Sequence, residues 1–408
     1  MEWTREQQAA IDIKNCNLLV AAGAGSGKTA VLVERIIRKI IDDKIDIDKM
    51  LVATFTNAAA SEMRERIAER LYKELEKDIS LQKQINLLSK ANISTLHSFC
   101  LKVIHDNFFL IDLDPNFRIG DDIECVLLKN DALDELMEKK YDSEDKDFEE
   151  LINLYTGNRE DSELKDIVLS IHNFINSTPD PKSWLEEKCE MYNLDNTKDF
   201  SETIWGEMLL DYAIQIVTDA IEELESLEKR LTDYPNYLLT IQDDIFNLRA
   251  LKEKNSSWDE FYSQIRTLEF SKLKSCKEID IELKDYVQEK RKKIKKDVKE
   301  YLRDNVFVST SSEIYADMAL LYNNLKALSK FVLEFDEKFS NKKREKNILD
   351  FDDIEHIALK ILNENEDVRN LYRDKFDEIL VDEYQDSNMV QEAIINTIFN
   401  YFVMFFFC

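Results

Sequence analysis

The chain of 408 residues carries 55 Lys+Arg against 83 Asp+Glu, a formal net charge of −28, with 44% hydrophobic residues but only 6 glycines and 4 prolines; it has room for two or three domains and is expected to be mainly helical. It has no apolar run near eighteen residues, no basic-plus-apolar leader and no C-x-x-C pair among its scattered cysteines, so secretion, membrane insertion, a disulfide framework and a zinc site are not expected, and a reduced, cytoplasmic protein is the simplest reading. The acidity is uneven: residues 1–110 hold 16 basic and 15 acidic residues and the remainder 39 and 68, which argues against a sequence-specific DNA binder without excluding a local groove that grips a strand.

In chain order, "NLLVAA" (17–22) is a short apolar run that predicts a buried strand. "GAGSGKT" follows, and then "KTAVLVERIIRKII", whose apolar residues fall at helical spacing from about Gly27. Strand, glycine turn and helix form the context that gives a phosphate-binding loop its meaning. The usual G-x-x-x-x-G-K-[ST] is kept at Gly27, Lys28 and Thr29, with Ala22 in place of the first glycine. Backbone N–H groups from Gly25 to Thr29 are expected to face phosphates at the helix N-terminus, Lys28 to reach the β- and γ-phosphates of ATP, and the Thr29 hydroxyl to sit on Mg²⁺.

"MLVATFT" (50–56) predicts a second strand running into an amphipathic helix with Met63, Ile67, Leu71 and Leu75 on one face. "ANISTLHSFC" (91–100) predicts a third strand entering another helix, where His97 taken alone reads as a capping or core histidine. The middle, residues 122–345, is helical and charge-rich. Its basic runs, Lys290 to Lys296 and Lys342 to Lys346, are either phosphate contacts or solvated helix faces, and neighbours such as Asp285, Glu289, Asp297 and Glu300 favour the second reading. Near the end, "FDEILVDEYQDSN" (376–388) predicts a strand, Ile379–Val381, ending in Asp382 and Glu383. A carboxylate at such a strand end suits a Mg²⁺ ligand, Asp382, beside a residue that orients and deprotonates water, Glu383.

Together these segments resemble the UvrD/Rep-type superfamily 1 DNA helicases. "TREQ" with Ala10 and Ile11 resembles the family's adenine-reading motif, with Gln7 as reader. "AAGAGSGKT" is the family's own form of the phosphate loop, in which alanine at 22 is normal, so Ala22, Gly23, Ala24, Gly25, Ser26, Gly27, Lys28 and Thr29 would cradle the nucleotide. "TFTNAAASEMRER" and "STLHSFC" resemble segments that line the single-stranded DNA track, and in "DEYQDSN" Gln385 would couple nucleotide to DNA. The resemblance implies that Phe55 and Phe99 stack on bases, at roughly 1–3 kcal/mol per base without regard to sequence, and that Thr56, Asn57, Thr95, His97 and Ser98 hold phosphate or sugar. A core-filling role competes for both phenylalanines. The segments "EWTREQQAAI", "AGSGKTAVLVERII", "IDLDPNFRIGD" (111–121) and "NILDFDDIEHIAL" (347–359) narrow the resemblance to the AddA/RexA family, one of the two kinds of subunit in bacterial helicase–nucleases.

The expected architecture is α/β, a RecA-like P-loop NTPase parallel sheet built from residues 1–121 and 346–408, with a large, mainly helical accessory domain inserted at 122–345. The expected activity is ATP- and Mg²⁺-dependent DNA unwinding at double-strand breaks, with single strands, duplex ends and a second subunit of the AddB/RexB type as partners. The sequence stops about twenty residues past "DEYQDSN", at "NYFVMFFFC", either the next strand or out-of-frame sequence. The second RecA-like domain, its arginine fingers and the nuclease domain are not in the sequence, so this chain alone is expected to have little turnover. Two other classes remain open: a different phosphate-loop enzyme such as a nucleotide kinase, whose acceptor lid is not evident, and a non-catalytic nucleotide- or partner-binding module.

Overall fold

The structure, a computed structural model, describes residues 3–14, 16–23, 25–111, 113–155, 161–194, 198–274, 276, 279–399 and 404–407. The chain opens with α1 (Arg5–Asp12), β1 (Leu18–Val20), α2 (Lys28–Ile41), β2 (Met50–Thr54), α3 (Asn57–Leu75), α4 (Gln82–Leu87), β3 (Asn92–Thr95) and α5 (Leu96–Asn107). There follow β4 (Arg118–Ile119), α6 (Asp122–Asp142), α7 (Lys146–Tyr155), α8 (Ser162–Ile175), α9 (Pro181–Glu190), α10 (Ile204–Arg230), α11 (Pro235–Lys252), α12 (Trp258–Thr267), α13 (Ile281–Ile294), a π-helical stretch (Lys295–Val306) and α14 (Ser311–Glu345). The chain then adds β5 (Ile348–Leu349), α15 (Phe351–Glu364), α16 (Glu366–Lys375), β6 (Glu378–Val381), α17 (Met389–Thr397) and β7 (Met404–Phe407). Residues 1–185 and 328–408 form one compact unit and residues 186–327 another.

The first unit is built on a five-stranded sheet in the order β1-β7-β6-β2-β3, every neighbouring pair parallel. Parallel strands need helical crossovers, which cover both faces and bury the strands on both sides. Accordingly β2 and β6 are buried at every residue. Side chains alternate between faces: Met50, Val52 and Leu380 enter a core with Ile36, Met63, Ile67 and Leu71 of α2 and α3, whereas Leu51, Ala53, Ile379 and Val381 enter one with Phe99, Val103, Ile354 and Ile394 of α5, α15 and α17. A two-residue parallel ladder, β4 with β5, joins the chain just before α6 to the chain just after α14.

The compact units do not divide at 121/122 and 345/346, the boundary expected from sequence. Helices α6 to α8 and the second half of α14 group with the sheet. Phe148 of α7 meets Phe331 and His172 of α8 meets Phe335, while Glu135 of α6 bridges Lys338 and Lys342. These helices are tied to α15 by His356 Nε2 against the Asn176 carbonyl, 3.0 Å, and by Lys343, buried between Asp350 at 2.8 Å and Asp353 at 2.7 Å. A charge-rich composition marked this stretch as an insert; its buried face belongs with the sheet.

The second unit is helical. Thr203, Ser257 and Asp280 cap α10, α12 and α13, and Pro235 starts α11, as helix ends require. Its core is centred on Val217, Leu224, Ile241 and Leu248, with Trp258 and Phe261 packed on Phe307 at ring separations of 4.4 and 4.5 Å. Of the basic run, Arg291 is buried against Asp244, Nε to Oδ2 2.7 Å, and Lys290 pairs with Glu223. Arg291 therefore is no phosphate contact, and neither is the buried Lys343.

Candidate functional site

The loop after β1 is shaped by two glycines in the left-handed region, Gly25 at φ 78° and Gly27 at φ 82°, a conformation a side chain resists. Gly27 is the N-cap of α2, so Lys28 and Thr29 open that helix with its free N–H groups beside them. Ala22, Gly23 and Ser26 complete the turn, with Ser26 N donating to the Gly23 carbonyl at 3.2 Å; Ala24 lies outside the described residues. Gln7 is held to the loop from α1. In a capping box its Oε1 accepts from Thr4 N at 3.0 Å, and its Nε2 donates to the Ser26 carbonyl at 2.9 Å.

The acidic pair lies at the C-terminal end of β6. Asp382 N donates to the Ala53 carbonyl at 2.9 Å, extending the β2 pairing by one residue. Glu383 adopts φ 57° and ψ 50°, a left-handed conformation that a non-glycine residue holds only where its surroundings enforce it. The 354 positions between Lys28 and Asp382 close up in space: Lys28 Nζ donates to Glu383 Oε2 at 3.3 Å. Gln385 Nε2 donates to the same oxygen. The two carboxyls are driven apart. Burial, with Glu383 adding to it, pushes Asp382 up against the opposing pull of Lys28. The Gln385 hydrogen bond, helped by Lys28, holds Glu383 below its ordinary value in spite of some burial. Among the described residues no cluster of three or more His, Cys, Asp or Glu stands ready to hold a metal ion. The hydroxyl of Thr29 and the carboxylate of Asp382 are oxygen donors of the kind a hard cation takes.

Beside this edge, β2 and β3 end in register at Thr54 and Thr95, so the N-termini of α3 and α5 lie together there. Phe55 is 65% exposed, and Thr56 and Asn57 are exposed with it; the Thr56 hydroxyl caps α3 by accepting from Ala59 N at 3.0 Å. Phe55, Thr95, His97, Asp382, Glu383 and Ser387 line one cavity of about 130 Å³; Ser98 is half-buried. Two expectations fail here. Phe99 is buried, edge-on to Tyr372 at 5.6 Å, and fills the core instead of offering a stacking surface. Thr95 is also buried, and its hydroxyl is spent on Ser98 N and Ser98 Oγ as the cap of α5.

Sequence reasoning missed two buried networks. Glu355 of α15 is 2% exposed and accepts from His97, Asn388 and Gln391. Burial drives its carboxyl up, but the bonds from His97, Asn388 and Gln391 carry it below the ordinary value. Arg35 of α2 is fully buried against Glu378 and the carbonyls that end α1. The signal was available: both acids and Arg35 interrupt apolar stripes, and a buried charge demands partners.

A parallel sheet with helices on both faces, a glycine loop with a lysine at one strand end and an acidic pair at another define the class. The chain belongs to the UvrD/REP helicase N-terminal domain family, whose profile matches residues 3–407. It is similar to the A-type subunit of the ATP-dependent helicase/nuclease of Acetivibrio thermocellus, 43% identical over 97% of this chain and 33% of the relative. The proteins of the same name from Clostridium novyi and Clostridioides difficile are each 43% identical over 98% of this chain and 33% of the relative. The chain thus spans about one third of the length of the curated relatives it matches.

Proposed function

We propose that the chain is the first RecA-like half, with its helical insert, of an ATP-driven DNA helicase motor of the AddA/RexA kind, working in the cytoplasm on broken DNA ends with a second subunit of the AddB/RexB type. The observation that carries the reading is the meeting of Lys28 and Glu383 across one parallel sheet, at 3.3 Å. Ligands of parallel sheets lie outside the carboxyl ends of the strands, where both residues stand.

In this reading the N–H groups of Gly25 to Thr29 and the Lys28 ammonium hold the β- and γ-phosphates of ATP, and Gln7 reads the adenine. Thr29 and Asp382 would hold Mg²⁺, which would supply charge neutralisation at the phosphates. Glu383, ionised because Gln385 and Lys28 favour its charged form, orients the attacking water and takes its proton. Once Lys28 turns to phosphate, one of the influences that depress Glu383 is gone and the carboxylate becomes a better base. Phe55 offers its face to a base, while Thr56, Asn57, His97 and Ser98 hold the strand at the helix N-termini.

The test is nucleotide binding by the chain itself, read with a fluorescent ATP analogue and Mg²⁺. Lys28→Ala is expected to weaken it at least about tenfold, a loss of about 1.4 kcal/mol, and Asp382→Asn to remove its dependence on Mg²⁺. Unchanged affinity in Lys28→Ala would sink the proposal.

A further inference from the structure

We infer that Glu355 is a positioning residue that couples the nucleotide end of the sheet to the strand-binding turn; the inference rests on the function proposed above. Glu355 stands on α15, outside both sites, yet one of its oxygens belongs to both. Oε1 accepts from His97 Nε2 at 3.0 Å and from Gln391 Nε2 at 2.6 Å, and Oε2 accepts from Asn388 Nδ2 at 2.8 Å. His97 is the second residue of α5 and lines the cavity with Phe55. Asn388 caps α17, its Oδ1 accepting from Gln391 N at 2.8 Å.

From Asn388 back to the acidic pair the chain is a short, bonded segment. Asp386 N donates to the Glu383 carbonyl and Ser387 N to the Tyr384 carbonyl, each at 3.0 Å. A shift at Glu383 is therefore delivered to the start of α17 within five residues. There it meets a buried, ionised acceptor that holds His97 by the same atom. Losing a donor would leave a buried carboxylate under-satisfied, far costlier than losing an exposed bond, so the start of α17 and His97 move together or a charge-assisted bond breaks. Packing alone does not call for an acid here. Glu355 falls in register with buried Leu359 and Leu362 on α15, where an apolar side chain would serve stability as well or better.

The measurement is reciprocal coupling in the full chain: affinity for a fluorescent oligothymidylate with and without a non-hydrolysable ATP analogue plus Mg²⁺, and affinity for the analogue with and without the oligonucleotide. The wild type is expected to show one factor in both directions, on the order of 5–150-fold. In Glu355→Gln, whose amide offers N–H to groups that are themselves donors, each ligand alone should bind within about threefold of wild type while the coupling factor falls to about one. Gln391→Met, which leaves the carboxylate two donors, should lose part of the factor, and the double variant should lose no more than Glu355→Gln alone, as members of one unit do. Full coupling retained in both single variants overturns the inference. So does a wild type that binds both ligands without coupling, or a loss in Glu355→Gln that merely tracks a loss of folded protein while Gln391→Met keeps the wild-type factor. A wild type that binds neither ligand overturns the function proposed above, and this inference with it.

Discussion

Among the described residues each compact unit buries one arginine against one carboxylate, and the two pairs do different things. In the helical unit, Arg291 of α13 bonds Asp244 of α11 and the Ser271 carbonyl, each at 2.7 Å. Burial pushes Asp244 up, and Arg291 pulls it back. The pair ties two packed helices and a loop. In the sheet unit, Arg35 bonds Glu378 at 2.9 Å, with Lys39 on the acid's other oxygen at 2.8 Å. Its Nη1 donates to the Ala10 and Ile13 carbonyls, at 3.0 and 2.7 Å. That single guanidinium joins the helix that carries Gln7, the helix that opens at Lys28 and the strand that ends at Asp382. A buried ion pair is a weak sign of stabilisation in either place; what differs is that one fixes the relative placement of three pieces of the site.

The comparison can be broken at its strongest point. Arg291→Leu strands the buried Asp244 and should destabilise by about 3–5 kcal/mol, whereas Arg35→Leu leaves Glu378 with Lys39 and should destabilise by less, both read by denaturant unfolding. Only Arg35→Leu should also weaken nucleotide binding beyond its unfolded fraction, so equal binding losses would erase the distinction. A similar contrast holds within the sheet unit. Phe99→Ala should lower stability by about 3–5 kcal/mol as a core truncation and leave oligonucleotide affinity alone. Phe55→Ala should lower that affinity by about 1–3 kcal/mol with little change in melting temperature. Thr56→Ala removes the cap of α3 and should destabilise by about 1 kcal/mol, separating capping from any strand contact when both are measured on one sample.

The smallest effect concerns pH. Asp382 has a folded-state value above its unfolded one, so protonation favours the folded state. Its contribution to stability improves as pH falls through the folded value, while Mg²⁺-dependent nucleotide binding declines over the same range. Asp382→Asn should remove both trends and melt slightly above wild type at neutral pH. A pH profile of melting that is identical in wild type and Asp382→Asn would refute the assigned burial penalty.

Much of the sheet unit was legible because its signals are local. The helical spacing after Lys28 and the stripe of Met63, Ile67 and Leu71 appear as read, and those three residues are buried. The apolar run before the glycine turn forms a strand, Leu18–Val20, but not the buried one expected, since among the described residues it lies at the edge of the sheet with Leu19 58% exposed. Of the two roles open to Phe99, its burial matches core filling, and a pattern in plain view favours that role. Leu96, Phe99, Cys100 and Val103 fall at i, i+3, i+4 and i+7 and are all buried, and that period outranks proximity to a DNA-lining motif. Glu355 and Arg35 were readable only by half: a charge in an apolar stripe announces that partners exist but not which, since those partners come from elements far along the chain. The grouping of α6 to α8 with the sheet has the same non-local cause.

The last described strand has a consequence for how the protein comes into being. Among the described residues β1 finds its only sheet neighbour in β7, Leu18 against Phe405, and β7 in turn bridges to β6. Phe405 follows Leu18 by about 390 residues in the chain, an interval on the order of tens of seconds at the usual pace of synthesis. Until then the lysine turn hangs from an unpaired ribbon, and the pocket's two walls have nothing between them. A nascent chain halted before residue 404 should therefore carry every side chain named for the triphosphate and yet fail to grip it, so that competence arrives abruptly with four late residues.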